Sequence, residues 1–381
     1  RDWAREHGST DASQPGSLID RSMWRAAADA GIQSLIVPTE FGGAGRSAVD
    51  AMLTFEGLGL GASDNGLLFA LSSQVFAMQR AFADSASAQQ LEQWMPKLLA
   101  GEAFGCFAMS EPEAGSDISA ISTVAVAQDT DGSYVLNGSK SWATLGPLCD
   151  VAIVFATTDP DKGRWGITAF VVDASTEGFV RGPAVAKMGL GSCPFGSLDL
   201  VDCRVGPESV LGRPGSGAAI FADAVEGERV FLYAAALGAM ERVLDQTVER
   251  ARTRRQSGKT IGSFQAVSHR IVDMKLRHEA ARLLVYKAAA LHDRGQSIAL
   301  AAGLAKLQTS ETSVQSALDA MRVFGATGYT VEAGLERELR DAVGGLAYSG
   351  TPDVTRNIVA GLLRLDRSGA SAKTQQSEDR E

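Results

Sequence analysis

The apolar residues of this chain change period twice, and few folds tolerate such a sequence. Between residues 18 and 107 they recur at three-to-four spacing, as in Met23, Trp24 and Ala27 before a stop at Gly31, which predicts helices. Further helices are expected after the glycine-rich Phe41-Gly42-Gly43-Ala44-Gly45 turn. The middle of the chain reads as β: Ser133-Tyr134-Val135-Leu136 runs into Asn137-Gly138, a hairpin signal, and residues 151–156 and 167–172 are short, continuous apolar runs of the kind found in buried strands. After Gly212 the helical period returns, with Leu237, Met240, Leu244 and Val248 on one face and Ile271, Met274, Leu283 and Leu284 on others. Helical, β, helical is an α+β layout in which a β module interrupts two helical parts. The expected division is an N-terminal helical domain (1–107), a middle β domain (108–212), a C-terminal helical bundle (213–366) and a polar, disordered tail (367–381).

At 381 residues, 45% hydrophobic and 21% charged, the chain can fill substantial cores. A net charge of −9 without a Lys/Arg run argues against a nucleic-acid partner. No apolar stretch approaches the roughly 20 residues of a membrane span, and no signal peptide is recognisable, so a cytoplasmic protein is expected. Cys106, Cys149, Cys193 and Cys203 form no CxxC pair, which fits a reducing compartment, and the four histidines lack metal-ligand spacing, so no metal is expected. His269 and His278 read as surface or packing residues of a helix. Two glycine-rich segments are decoys. Residues 212–217 carry phosphate-loop glycines, but Ala218 stands where the lysine belongs, and Gly325-Ala326-Thr327-Gly328 follows no strand.

Two segments carry candidate chemistry. Ser110-Glu111-Pro112-Glu113-Ala114-Gly115-Ser116-Asp117 offers backbone N–H groups and hydroxyls to an anionic or carbonyl-bearing ligand. In Asn137-Gly138-Ser139-Lys140-Ser141-Trp142-Ala143-Thr144, the Trp142 ring and the Thr144 hydroxyl would share a strand face, suited to covering a flat ring. Together with Arg252-Thr253-Arg254-Arg255-Gln256-Ser257-Gly258, Phe264-Gln265, Val37-Pro38, Lys187-Met188-Gly189, Ala305-Lys306 and Phe324-Gly325 through Arg340-Asp341-Ala342 to Arg356-Asn357-Ile358, they resemble the acyl-CoA dehydrogenase flavoproteins. The resemblance covers almost the whole chain. It implies a helical domain, a β-barrel-like domain and a C-terminal four-helix bundle, assembled as a homo-oligomer (dimer or tetramer), with FAD bound across a subunit interface. It also implies that Phe107, Met109 and Ser110 approach the flavin and Ser116 the pyrophosphate, while Trp142 and Thr144 lie against the ring. Arg254, Gln265 and Arg322 would meet the diphosphate of a neighbouring subunit's FAD, and Thr351 would help on the same cofactor. Ser257 and Ala326 depart from the pattern, replacing a phenylalanine and a glycine beside the cofactor.

The most consequential departure lies in Tyr348-Ser349-Gly350-Thr351, where Ser349 occupies the position of the family's catalytic glutamate. A serine hydroxyl without an activating partner cannot take an α-proton. Glu228 stands where the branched-chain and long-chain members place their base, and a carboxylate buried there would have its pKa raised toward neutrality. The competing reading makes Glu228 a helix-start acid favoured by the macrodipole beside Arg229, and Glu226 is too close in sequence to exclude. Arg229 and Tyr348 are expected along the substrate. The implied reaction is α,β-dehydrogenation of an acyl thioester on coenzyme A or an acyl carrier protein, with Glu228 as the relocated base. Two alternatives stand beside it: a non-standard oxidation or oxygenation needing no α-proton base, and a non-catalytic thioester-binding or partner-binding module.

Overall fold

The computed structural model describes residues 1–8 and 18–365, so the tail expected at 367–381 lies outside the described residues. Six helices open the chain: α1 (Asp2–His7), α2 (Arg21–Asp29), α3 (Ala48–Gly61), α4 (Asn65–Ser73), α5 (Arg80–Ser85) and α6 (Ala88–Leu99), with a π-helical turn at Gln74–Gln79 joining α4 to α5. Their starts follow from capping chemistry: Asp20 accepts from the Met23 N–H at the head of α2, and Ser87 and Gln90 form a reciprocal capping box at the head of α6. The predicted stop at Gly31 is real, with φ 77° just past the end of α2.

Eight strands follow: β1 (Gly105–Ala108), β2 (Val124–Ala127), β3 (Tyr134–Thr144), β4 (Val151–Thr157), β5 (Ile167–Asp173), β6 (Phe179–Arg181), β7 (Phe195–Val205) and β8 (Val210–Leu211). They form one sheet in the order β6-β7-β3-β2-β4-β5-β8, with β1 pairing β4 in parallel. The β4 run is apolar throughout because both of its faces are covered. Val151, Ile153 and Phe155 join a core with α6 and the helix after the sheet, while Ala152, Val154 and Ala156 join a second core inside the β module.

Two expectations need correction here. The sheet begins at Gly105, so the boundary set at 107 cuts through β1. Asn137-Gly138 is no hairpin turn: both residues lie inside β3, which passes through them with a bulge against β7. The reason is tertiary, because a Cβ at Gly138 would meet Thr123 Oγ1 at 2.5 Å, and only glycine lets β3 cross there. The hairpin between β2 and β3 turns instead at residues 128–133, where Asp131 accepts from the Ser133 N–H and Gly132 has φ 69°.

The chain then returns to helices: α7 (Gly217–Phe231), α8 (Tyr233–Thr253), α9 (Gln265–Asp293), α10 (Ala299–Phe324), α11 (Leu335–Gly344) and α12 (Pro352–Leu362). A small hairpin, β9 (Arg255–Gln256) with β10 (Lys259–Thr260), turns through Ser257 and Gly258, both at positive φ, between α8 and α9. The long α8, α9 and α10 pack on one another, and α10 also carries α7, α11 and α12. Helix α3 docks tightly on α8, since a Cβ on Gly238 would lie 2.0 Å from the Glu56 carbonyl oxygen and one on Gly59 would lie 1.9 Å from that of Ala235. This contact fixes the N-terminal helices to the bundle, and the site lies beside it.

Candidate active site

Helix α7 ends at Phe231 and the chain re-enters helix one residue later, through Leu232. Glu228 therefore sits in the last turn of α7, which overturns its reading as a helix-start acid: the dipole at that end disfavours a negative charge. Its carboxylate instead accepts a hydrogen bond from the residue that the sequence singled out, with Ser349 Oγ donating to Glu228 Oε1 at 3.1 Å across 121 residues of chain. Burial pushes the Glu228 carboxyl up to about 7, against the lowering effects of the Ser349 hydroxyl and the Arg229 guanidinium. Arg229 Nε reaches the Ser349 carbonyl at 3.4 Å. The structure thus brings Glu228, Arg229, Tyr348 and Ser349 together.

The segment that delivers Ser349 is anchored from below. Tyr233 Oη donates to the Gly345 carbonyl at 2.7 Å, and Lys306 Nζ donates to the same oxygen at 3.3 Å. Lys306 is fully buried, and desolvation together with nearby Arg229 lowers its ammonium to about 8. The Tyr348 ring packs on Phe69 at 4.6 Å and on Tyr233 at 5.5 Å between centroids. These three aromatics line a cavity of about 70 Å³ between α4, α8, α10 and α11, whose other walls include Leu68, Leu232 and Ala236. Asp341 closes one side, accepting from the Leu190 N–H at 2.5 Å and from Asn65 Nδ2 at 3.0 Å, and its burial raises its carboxyl to about 6. The Lys187-Met188-Gly189 and Arg340-Asp341-Ala342 motifs therefore meet: Arg340 Nη1 donates to the Met188 carbonyl at 2.8 Å, and a Cβ on Gly189 would lie 2.4 Å from the Arg340 carbonyl oxygen.

The residues assigned to a flavin fall in two groups. Around β1 and β3, Met109 is buried, Ser110 is half-buried with its carbonyl accepting from the Ser141 N–H at 2.9 Å, and Ser116 is exposed on its turn. The Phe107 ring is committed to packing, edge-on to Phe155 and stacked near Phe221. A second bulge in β3, between Lys140 and Ala143, puts Trp142 at φ 60°. Trp142 is 60% exposed, with its ring edge-on to Phe195 at 5.8 Å between centroids, and lies beside the half-buried Thr144. The second group gathers at one end of the bundle: Arg254 caps α8, Gln265 begins α9 and Arg322 lies in the last turn of α10, all three exposed. Arg322 is not a free cation, since Asp319 takes it at 3.1 Å together with Arg270 and Arg277. The Thr351 hydroxyl accepts from the Val354 N–H and caps α12.

The sequence reading passed over Glu111 and Lys140. They form a fully buried ion pair at 2.7 Å; Lys140 Nζ also donates to the Met109 carbonyl at 3.1 Å, while Glu111 accepts from the N–H and hydroxyl of both Ser122 and Thr123. The pair ties the Met109–Ser110 loop to β3. The available signal was a lysine at an inward-pointing position of β3, where alternation calls for an apolar side chain. One metal-like grouping exists among the described residues: Glu56, Glu241 and His278 converge, but Glu56 already binds Arg282 and Tyr286.

Comparison with known proteins agrees with this geometry. Residues 1–102, 106–203 and 215–363 match, in turn, the N-terminal, middle and C-terminal domains of acyl-CoA dehydrogenase. An L-prolyl-[peptidyl-carrier protein] dehydrogenase of Pseudomonas fluorescens is 42% identical over 90% of each chain. The crystal structure of the prolyl acyl carrier protein oxidase AnaB superimposes with a TM-score of 0.92 at 36% identity, covering 95% of this chain and 96% of that one. A structure described as PigA with FAD and proline gives a TM-score of 0.92 at 36% identity over 96% and 95% of the two chains. With all three domains matched in order and a relative 42% identical over 90% of the chain, the chain belongs to the acyl-CoA dehydrogenase family.

Proposed function

We propose that this protein is an FAD-dependent dehydrogenase of a carrier-bound acyl thioester, that its substrate is a prolyl group on a peptidyl carrier protein, and that Glu228 is its base. The observation that carries this reading is the Glu228 carboxylate itself, partly buried, hydrogen-bonded by Ser349 and raised to about 7, where a general base works best near neutral pH. The prolyl group follows from the Pseudomonas relative and from the neighbour solved with FAD and proline. The wall of Phe69, Tyr233 and Tyr348 also suits a compact ring.

FAD, when bound, supplies the two-electron acceptor for the hydride leaving the substrate. Trp142 and Thr144 offer the exposed platform for its ring, and Ser116 offers a hydroxyl to its phosphates. Arg254, Gln265 and Arg322 are exposed at one bundle end, which suits their serving the cofactor of another copy. A homo-oligomer also accounts for Val272, Leu276 and Leu283, an apolar stripe left 63–70% exposed along α9. Glu228 accepts the proton from the α-carbon, the backbone N–H groups around Ser349 are available to the thioester oxygen, and the aromatic wall excludes water. Among the described residues no helix is long and apolar enough to cross a membrane.

The test is anaerobic bleaching of the flavin by prolyl, isovaleryl and butyryl thioesters on pantetheine and on a carrier protein. Prolyl thioester should bleach wild type fastest, with a rate that rises with pH through about 7 as Glu228 ionises. Glu228→Gln, which keeps an acceptor for Ser349, should slow the step by about 10²–10⁴-fold. An unchanged rate in that variant would remove Glu228 from the chemistry, and a colourless, inert protein would leave only a thioester-binding role.

A further inference from the structure

We propose that Ser349 is a positioning residue for Glu228, holding the carboxylate in one orientation and favouring its ionised form; this rests on the reading of Glu228 as the base. Three observations converge on it. Ser349 Oγ donates directly to Glu228 Oε1 at 3.1 Å, so the hydroxyl occupies one acceptor site on the carboxylate and leaves the other oxygen for the substrate. Ser349 takes the left-handed conformation at φ 52°, which costs a residue with a Cβ about 1 kcal/mol or more and persists only where the surroundings enforce it. The surroundings do so here: the preceding backbone is fixed by Tyr233 and Lys306 at the Gly345 carbonyl, and Arg229 Nε holds the Ser349 carbonyl itself. A glycine at position 349, like neighbouring Gly350 at positive φ, would take this conformation with less strain.

The charged and titratable groups around Glu228 do not provide the same orientation. Arg229 and Glu226 are on its own helix, Tyr233 comes from α8 and Tyr348 from the segment after α11, while Lys306 on α10 sits beyond Arg229. Among the contacts of the described residues, it is the Ser349 hydroxyl, not one of these groups, that donates a hydrogen bond to the carboxylate. The direction of the effect follows from acid–base linkage. A donor to the ionised form stabilises it, so losing the donor raises the pKa and moves the onset of base activity to higher pH.

The experiment compares Ser349→Ala and Ser349→Gly with wild type and Glu228→Gln, all as FAD-loaded protein. Infrared difference spectra across pH report the carboxyl C=O band of protonated Glu228, assigned by its absence in Glu228→Gln, and need no substrate. Both Ser349 variants should raise the midpoint of that band by about half a pH unit to one unit. Flavin reduction by whichever thioester bleaches wild type should fall by about three- to tenfold below the wild-type midpoint, with the deficit shrinking as pH rises. Agreement between Ala and Gly matters, because glycine relieves the left-handed strain while alanine keeps it. A midpoint that stays in place in both variants overturns the proposal. Loss of the band in Glu228→Gln with an unaltered reduction rate would instead refute the base reading and leave the hydrogen bond intact.

Discussion

Replacing Lys140 with methionine tests how the Met109–Ser110 loop is held against β3. In the native pair, Glu111 is depressed to about 2 by its lysine and hydroxyl partners working against burial, while Lys140 is depressed to about 8 mainly by burial. The two shifts have opposite meanings. The Glu111 contribution is present above its ordinary value of 4.5 and is lost as pH falls toward 2. The Lys140 penalty is present below 8 and is relieved as pH rises toward 10.5. At neutral pH the two effects oppose each other, as desolvation and attraction commonly do in buried ion pairs. Removing one partner does not balance. Lys140→Met leaves Glu111 buried with only the Ser122 and Thr123 donors and forfeits up to about 3 kcal/mol, the lower end of the range for a broken buried pair. A chain of three domains with a cofactor is unlikely ground for a two-state unfolding fit, so the assay is local: amide hydrogen exchange at Ser122 and Thr123, whose N–H groups Glu111 accepts. Protection there should fall about a hundredfold at pH 7 and less near pH 4, where Glu111 can take up a proton. Adding Glu111→Gln to Lys140→Met should restore part of the protection by removing the stranded charge. A change under about threefold, or a double variant worse than the single one, would refute the account of the pair.

Two further outcomes follow from the same geometry. Gly238→Ala would force a methyl to within 2.0 Å of the Glu56 carbonyl and 2.4 Å of the Leu60 nitrogen, both backbone atoms, so α3 and α8 must separate. Faster amide exchange along the α3–α8 contact, by about fivefold or more, is expected, and unchanged exchange there would mean that the helices are not in fixed contact. Trp142→Ala should leave the apo protein as stable as before, because the indole is 60% exposed, yet lower the flavin content of purified protein, read from absorbance; normal content would remove Trp142 from the cofactor platform.

The fold was largely legible because its signals are local. The helical period of Leu237, Met240 and Leu244 and the apolar run from Val151 to Ala156 each report burial of one face or of two, and that does not depend on distant partners. The failures came where a distant partner decides. Asn137-Gly138 is a turn signal by propensity, but Thr123 needs the space over Gly138 and β3 continues straight through. Alternation along β3 could have marked Lys140 as inward-pointing, but nothing near it in sequence shows that Glu111 will meet it inside. The site mixes both cases. Ser349 and Glu228 were visible as an exchange of residue types at two motif positions, but their hydrogen bond joins the end of one helix to the start of another across 121 residues and exists only in the fold. Positions 228 and 349 lie one hydrogen bond apart, so a carboxylate carried on either backbone would reach the same space.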